Sequence, residues 1–126
     1  MNAVQCLALT ETAAAPAPTP VRELNDALRR NIFSPVALGE VFLTAGVAAL
    51  SDEARFALVD EVRCLEDFTP DNDPYGEHDF GRIDLRGGRY FWKIDYYDLG
   101  LKFHSPDKSN PALTRRVLTI MRADEY

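Results

Sequence analysis

Residues 67–98 read DFTPDNDPYGEHDFGRIDLRGGRYFWKIDYYD. An acidic, turn-rich loop runs directly into two segments dense in aromatic and β-branched residues. Such residues favour a pleated, half-buried surface, so 80–85 and 90–98 read as strands. Arg86-Gly87-Gly88-Arg89 joins them, and Gly-Gly suits a two-residue hairpin turn. That turn predicts Leu85 opposite Tyr90, Ile83 opposite Trp92 and Gly81 opposite Ile94, all on one face. The other face receives Phe80, Arg82, Asp84, Phe91, Lys93, Asp95 and Tyr97. Aromatic rings mixed with charges are the composition of a surface that meets a partner. Cross-strand pairing of Arg82 and Lys93 with Asp84 and Asp95 is the purely structural alternative.

Outward from the hairpin, Thr69-Pro70 and Asp73-Pro74 forbid a continued helix, because proline lacks the donor and restricts the residue before it. Residues 67–77 are therefore a structured loop, with Phe68 and Tyr75 as anchors. Ser51 caps a preceding helix that carries Asp52 and Glu53 in its first turn. Phe56, Val59 and Val62 share one face of it, and Leu58, Val62 and Leu65 an adjoining one, a width that suits a helix pressed on a sheet. Cys64 reads as a small core residue rather than a nucleophile. Residues 40–44 (EVFLT) predict a short strand, with a turn at Gly46. Thr19-Pro20 opens a first helix bearing Val21, Leu24 and Leu28 on one face. Downstream, 101–104 predicts a final strand. Asn110-Pro111 predicts a last helix with Leu113, Val117, Ile120 and Met121 at helical spacing. The run 117–121 is also β-prone, so a strand is the competing assignment there. Residues 1–18, rich in Ala, Thr and Pro, predict a flexible tail ahead of one globular domain over 19–126. The expected architecture is α+β: a small, mainly antiparallel sheet around the central hairpin 80–97, with about three helices packed on one face.

The 126 residues are enough for one core without disulfides, and Cys6 and Cys64 form no framework. No signal peptide or apolar run of membrane-spanning length is read, and a cytoplasmic protein is expected. The net charge is -6. Residues 52–84 hold eleven Asp and Glu against three Arg, a balance of -8, while the remainder sums to +2. That balance disfavours direct binding to nucleic-acid phosphates and favours a partner with a basic surface.

Asp71, Asp73, Glu77, His78 and Asp79 fall close together in the loop. Asp71, Asp73 and Gly76 fit the first, third and sixth places of a calcium loop. Tyr75 and Arg82 fill the fifth and twelfth, so the pattern fails where the bidentate carboxylate belongs. A structural zinc site lacks ligands. His78 and His104 with Asp79 or Asp95 would make a two-His, one-carboxylate cluster only if the last strand lay beside the hairpin. No nucleophile elbow, P-loop or dinucleotide motif is present, and no cofactor is expected. Asp71 and Asp73 also suit local capping of backbone donors.

The strings DFTPDNDPYGEHDFG, FWKIDYYD and TRRVLTIMRADEY resemble an uncharacterised, mainly alphaproteobacterial domain-of-unknown-function family (DUF3768-like), over residues 22–126. The resemblance brings no catalytic residues. It implies a small cytoplasmic protein carried on plasmids and mobile elements, near antirestriction genes. The function expected is therefore a non-enzymatic acidic inhibitor or adaptor of a host-defence, anti-restriction or anti-CRISPR-like, or nucleic-acid-handling complex. Its contact residues would be Asp71, Asp73, Tyr75, Glu77, Phe80, Asp84, Phe91, Asp95 and Tyr97. The alternatives are a metal-dependent hydrolase using His78, Asp79 and Asp73, with His104 as a further candidate, and a self-associating structural protein, a homodimer through the aromatic hairpin face.

Overall fold

The computed structural model describes residues 20–35 and 38–126. The expected tail 1–18, Cys6 and Thr19, expected to open the first helix, lie outside the described residues. The order of elements is α1 (Val21–Arg30), β1 (Glu40–Leu43), α2 (Ala45–Ala48), α3 (Asp52–Cys64), β2 (Phe80–Leu85), β3 (Gly88–Tyr97), β4 (Arg115–Arg122) and a 3-10 turn (Ala123–Glu125). The fold is α+β, with a four-stranded mixed sheet ordered β1-β4-β3-β2. β4 runs antiparallel to β3 and parallel to β1.

The helix expected after Asn110-Pro111 is not there. The asparagine Oδ1 accepts from the Ala112 amide at 2.9 Å and the chain turns once, then enters β4. Val117, Leu118, Ile120 and Met121 are all buried. Leu118 and Ile120 pair with Ile94 and Trp92, while Val117 and Met121 pair with Asp95 and Phe91 on the opposite side. A central strand with both faces covered is apolar at consecutive positions, which erases the alternation that marks a strand and mimics a helical stripe. The strand expected at 101–104 reduces to a single bridge between Tyr97 and His104. Leu101 there takes φ 59, a left-handed conformation no strand contains. Asp98 holds that turn, its carboxylate accepting from the Lys102 amide at 3.0 Å.

The hairpin forms, in a register two residues from the expected one. Ile83 pairs with Tyr90, Gly81 with Trp92 and Leu85 with Gly88. The turn is Arg86-Gly87, at φ 52 and 82, the two positive values a type I′ turn demands. The Trp92 indole explains the choice. A Cβ on Gly81 would sit 2.6 Å from the indole Cε2, so only glycine admits that ring opposite. A shift of two preserves which face each side chain occupies. β2 is an edge of the sheet and β3 an interior strand.

Leu28, Val47, Leu58, Val59 and Val62 close over Ile83, Trp92, Ile94, Leu118 and Ile120, forming the core on one face. The Ser51 hydroxyl caps α3 as expected, accepting from the Ala54 amide at 3.1 Å. Phe56 departs from expectation. It lies at the margin of the buried arc of α3, 61% exposed, and stacks on Phe33 at 5.1 Å. Cys64 ends α3, half-buried. Gly46 stands inside α2 rather than in a turn, and the Glu125 carboxylate fixes it. That carboxylate accepts from Thr44 Oγ1 at 2.7 Å, the Gly46 amide at 2.8 Å and the Arg122 amide at 2.9 Å.

Candidate functional site

The 67–79 loop hangs on α1 through a polar network. Asn25 and Arg29, one turn apart on α1, are fully buried. Arg29 Nη1 donates to the carbonyls of Val62 and Leu65, both at 2.9 Å, closing the C-terminal end of α3. Its Nη2 donates to Asp26 at 2.8 Å. A cation at that position meets the negative end of the helix dipole as well as the open carbonyls. The guanidinium lies 5.2 Å from the Phe68 ring centre and 5.0 Å from that of Trp92. Phe68 in turn stacks on the His78 ring at 3.8 Å and meets Trp92 edge-on.

His78 is committed to this network. Its Nδ1 donates to Asp26 Oδ1 at 2.9 Å, and its Nε2 lies 3.5 Å from Asp73 Oδ2. Its backbone takes φ 54 while its amide donates to the Asp73 carboxylate at 3.3 Å. Further along, Asn25 Nδ2 donates to the Tyr96 hydroxyl at 2.7 Å and the Glu77 carbonyl at 2.9 Å. Asn25 Oδ1 accepts from Arg116 Nε at 2.9 Å. Arg116 Nη2 also donates to the Lys108 carbonyl. Burial raises the Asp79 carboxyl above its usual range, with Glu77 adding to the effect, although the Tyr96 hydroxyl donates to it at 3.4 Å. Burial likewise pushes the Tyr96 phenol up and draws the Arg116 guanidinium down.

Asn25, Arg29 and Arg116 escaped sequence reasoning. The bonds that join them to other elements span 33 to 91 residues, so no local spacing marks those roles. The available signal was the narrowness of the apolar stripe on α1, which leaves Asn25 and Arg29 beside Leu28 on the inward side.

The nine expected contact residues divide among four places. Asp73 and Glu77 serve the loop itself: Asp73 turns inward to His78, and Glu77 pairs with Lys108 at 2.8 Å. Tyr75 stands at the loop tip, 88% exposed, beside a shallow hollow shared with Arg22, Pro74 and His78. Asp71, Phe80 and Asp84 come together with Asp67 and Phe68 in a cleft of about 570 Å³ along β2. Phe80 also belongs to the sheet face away from the core, where it meets Phe91 at 5.4 Å and Tyr126 at 5.7 Å. Asp95 and Tyr97 continue that face along β3, and Asp95 pairs with Lys93 at 3.1 Å. Tyr126, exposed and in contact with both phenylalanines, was not foreseen.

The acidic window is spread over α3, the loop and β2, and much of it is internally paired. Asp60 meets Arg63, Glu66 meets Arg30, and Asp84 is held by Arg82 and Arg89. Those guanidinium groups keep the Asp84 carboxyl below the ordinary range. Asp67 and Asp71, at the mouth of the cleft, make no ion pair with any described residue.

The two histidines do not converge. His78 lies under α1, whereas His104 is exposed at the bridge to Tyr97. Asp79 faces Tyr96. Among the described residues no three His, Cys, Asp or Glu side chains are grouped to hold a metal ion. No helix among them is long and apolar enough to cross a membrane.

Comparison with curated proteins gives no match, and neither does comparison with solved structures. A family model described as "Protein of unknown function (DUF3768)" does match, over residues 43–125, a stretch holding α3, the loop, the hairpin and β4. With most of its length and nearly all of its sheet inside that match, the chain belongs to the DUF3768 family.

Proposed function

We propose that the protein is a non-enzymatic binding protein that grips the basic surface of a partner protein. One observation carries this reading: the β2 cleft and the aromatic sheet face are continuous through Phe80. On one side of that ring lie Asp67 and Asp71, which pair with no cation among the described residues. On the other lie Phe91 and Tyr126. The half-buried Phe80 and Phe91 and the exposed Tyr126 supply contact area, and open carboxylates supply steering and register. The catalytic alternative draws less support, because the His78 ring is engaged by Asp26, Asp73 and Phe68. The partner class put forward is a host-defence or nucleic-acid-handling complex. It rests on the plasmid and antirestriction setting that the family resemblance implies, and on the chemical fit of an acidic surface to a nucleic-acid-binding one.

Affinity capture from the native host tests the reading, comparing the wild-type chain with an Asp67→Lys/Asp71→Lys variant. The expected result is a basic protein retained at low salt, lost at high salt and lost with the variant. If only salt-insensitive partners are retained, or none, the reading fails. The same rings would also serve a homodimer, since Phe42, 54% exposed, lies on β1 of the same sheet. Sedimentation distinguishes the two, because a dimer through that face is dissociated by Phe80→Ser but not by charge reversal at Asp71.

A further inference from the structure

We propose that the outer edge of β2 is a docking strand, to which an extended basic segment of a partner protein adds alongside Phe80, Arg82 and Asp84. The proposal rests on the binding reading above and names the chemistry of what is bound. β2 is at the edge of the sheet, so one side of its backbone has no neighbouring strand. The turn fixes which side. In a two-residue hairpin the flanking pair, here Leu85 and Gly88, exchanges hydrogen bonds. Alternation then assigns the same to Ile83–Tyr90 and Gly81–Trp92. The Ile94 amide donating to the Asp79 carbonyl at 2.8 Å falls in the same set. Phe80, Arg82 and Asp84 therefore direct their amide and carbonyl groups outward. None of the three has a backbone hydrogen bond outside the ladder among the described residues.

Those three residues also line the cleft. Its opposite wall is Leu65, Asp67, Phe68, Asp71 and Asn72. Natural edges are usually covered or blunted by charge; this one carries Arg82 and Asp84, paired with each other at 2.8 Å, and borders a slot of about 570 Å³, within the range of pockets that hold ligands. Main-chain bonds to an edge give affinity, and side-chain contacts at alternate positions give selectivity. The loop wall stands on the core side of the sheet, since its Phe68 packs on Trp92. Successive side chains of an added strand leave on opposite faces, so every second one meets Asp67 and Asp71. Those positions select Lys or Arg. A second copy of this chain is the poorer occupant, because its own Asp67 and Asp71 would be brought toward the same carboxylates.

The test uses the full chain and a short acetylated, amidated peptide of alternating valine and arginine at millimolar concentration. Amide-resolved hydrogen exchange is expected to slow at Phe80, Arg82 and Asp84 and to stay unchanged at Ile83, already in the ladder. Two N-methylated peptides sharpen the test. In an antiparallel addition, the pairing that exchanges both bonds with Phe80, Arg82 and Asp84, arginines that reach the loop wall leave the valine amides facing β2. Methylating those should weaken binding about tenfold or more, and methylating the arginine amides should leave it intact. A glutamate-for-arginine peptide should not bind. If association occurs but is indifferent to methylation and leaves the three amides unprotected, strand addition is overturned while the binding function stands. If the peptide does not associate at all, strand addition is overturned, and the binding reading stands or falls separately on the affinity capture above. Concentration-dependent protection of the three amides without peptide would give the edge to a second copy, and the proposal would fall.

Discussion

Replacing Gly81 with alanine puts a methyl group 2.6 Å from Trp92 Cε2 and 2.8 Å from Cζ2, in the middle of a buried ring. Neither partner can yield, because the indole is enclosed and the glycine is in the ladder. Gly81→Ala should lower stability by ~2–3 kcal/mol, read as a fall in the urea midpoint at unchanged slope. Gly76→Ala is the contrast. Nothing lies near that Cβ, and only the positive φ of 66 is strained, so about 1 kcal/mol is expected. Asp79 offers an ionisation test. Its folded pKa is raised, chiefly by burial, so its contribution is complete below the ordinary carboxylate value and declines as pH rises through the raised one. Asp79→Asn keeps an acceptor for Tyr96 and removes the buried charge. It should raise the melting temperature at neutral pH and make little difference in acid, by thermal melts at both. At this scale the sequence was partly readable. Ser51, with a local partner three residues on, declared itself as a cap. Arg29, whose acceptors belong to a helix 33 and 36 residues away, could not.

The helices show where element-level reading succeeded and where it ran out. α3 was legible because its cap and apolar positions are all within its own segment. β4 was not, because its two faces are covered by different neighbours and the pattern carries no period. The hairpin was legible as an element but not in register, since Gly-Gly and Arg-Gly turns are both permitted locally and a long-range partner, the indole, chose between them. Two element-scale outcomes follow. Arg29→Met should cost ~3 kcal/mol or more, by leaving the Val62 and Leu65 carbonyls and Asp26 without their donor. Hydrogen exchange should show the end of α3 opening first. Glu125→Gln tests the clasp between α2 and the 3-10 turn. Hydrogen bonds from Thr44, Arg122 and Gly46 depress the folded pKa of Glu125, so its contribution holds above the ordinary glutamate value and is lost as pH falls through the depressed one. The variant should melt earlier than wild type at neutral pH, with the gap closing in acid.

For the molecule as a whole, the fold class followed from the hairpin and the α3 pattern, whereas the parallel β1–β4 pairing had no sequence cue. The candidate surface was legible in composition but not in geometry. Asp71, Phe80 and Asp84 line one cleft, while Asp73 and Glu77 belong to the loop's internal bonding. The acidic cleft should act mainly on encounter. Asp67→Lys/Asp71→Lys should slow association with a basic partner by about tenfold at low salt and flatten its dependence on ionic strength, measured by stopped flow. The strand order has a further consequence. β4, made last of the four strands, lies between β1 and β3 and is the only strand that β1 pairs with. During synthesis the earlier three strands cannot form the sheet. β1 must wait, unpaired, across an interval of 77 residues from Glu40 to Val117. Closing so long an interval slows the search for the native state. The sheet thus stays open until β4 has left the ribosome, and the apolar surfaces that β4 will cover stay unsheltered until then.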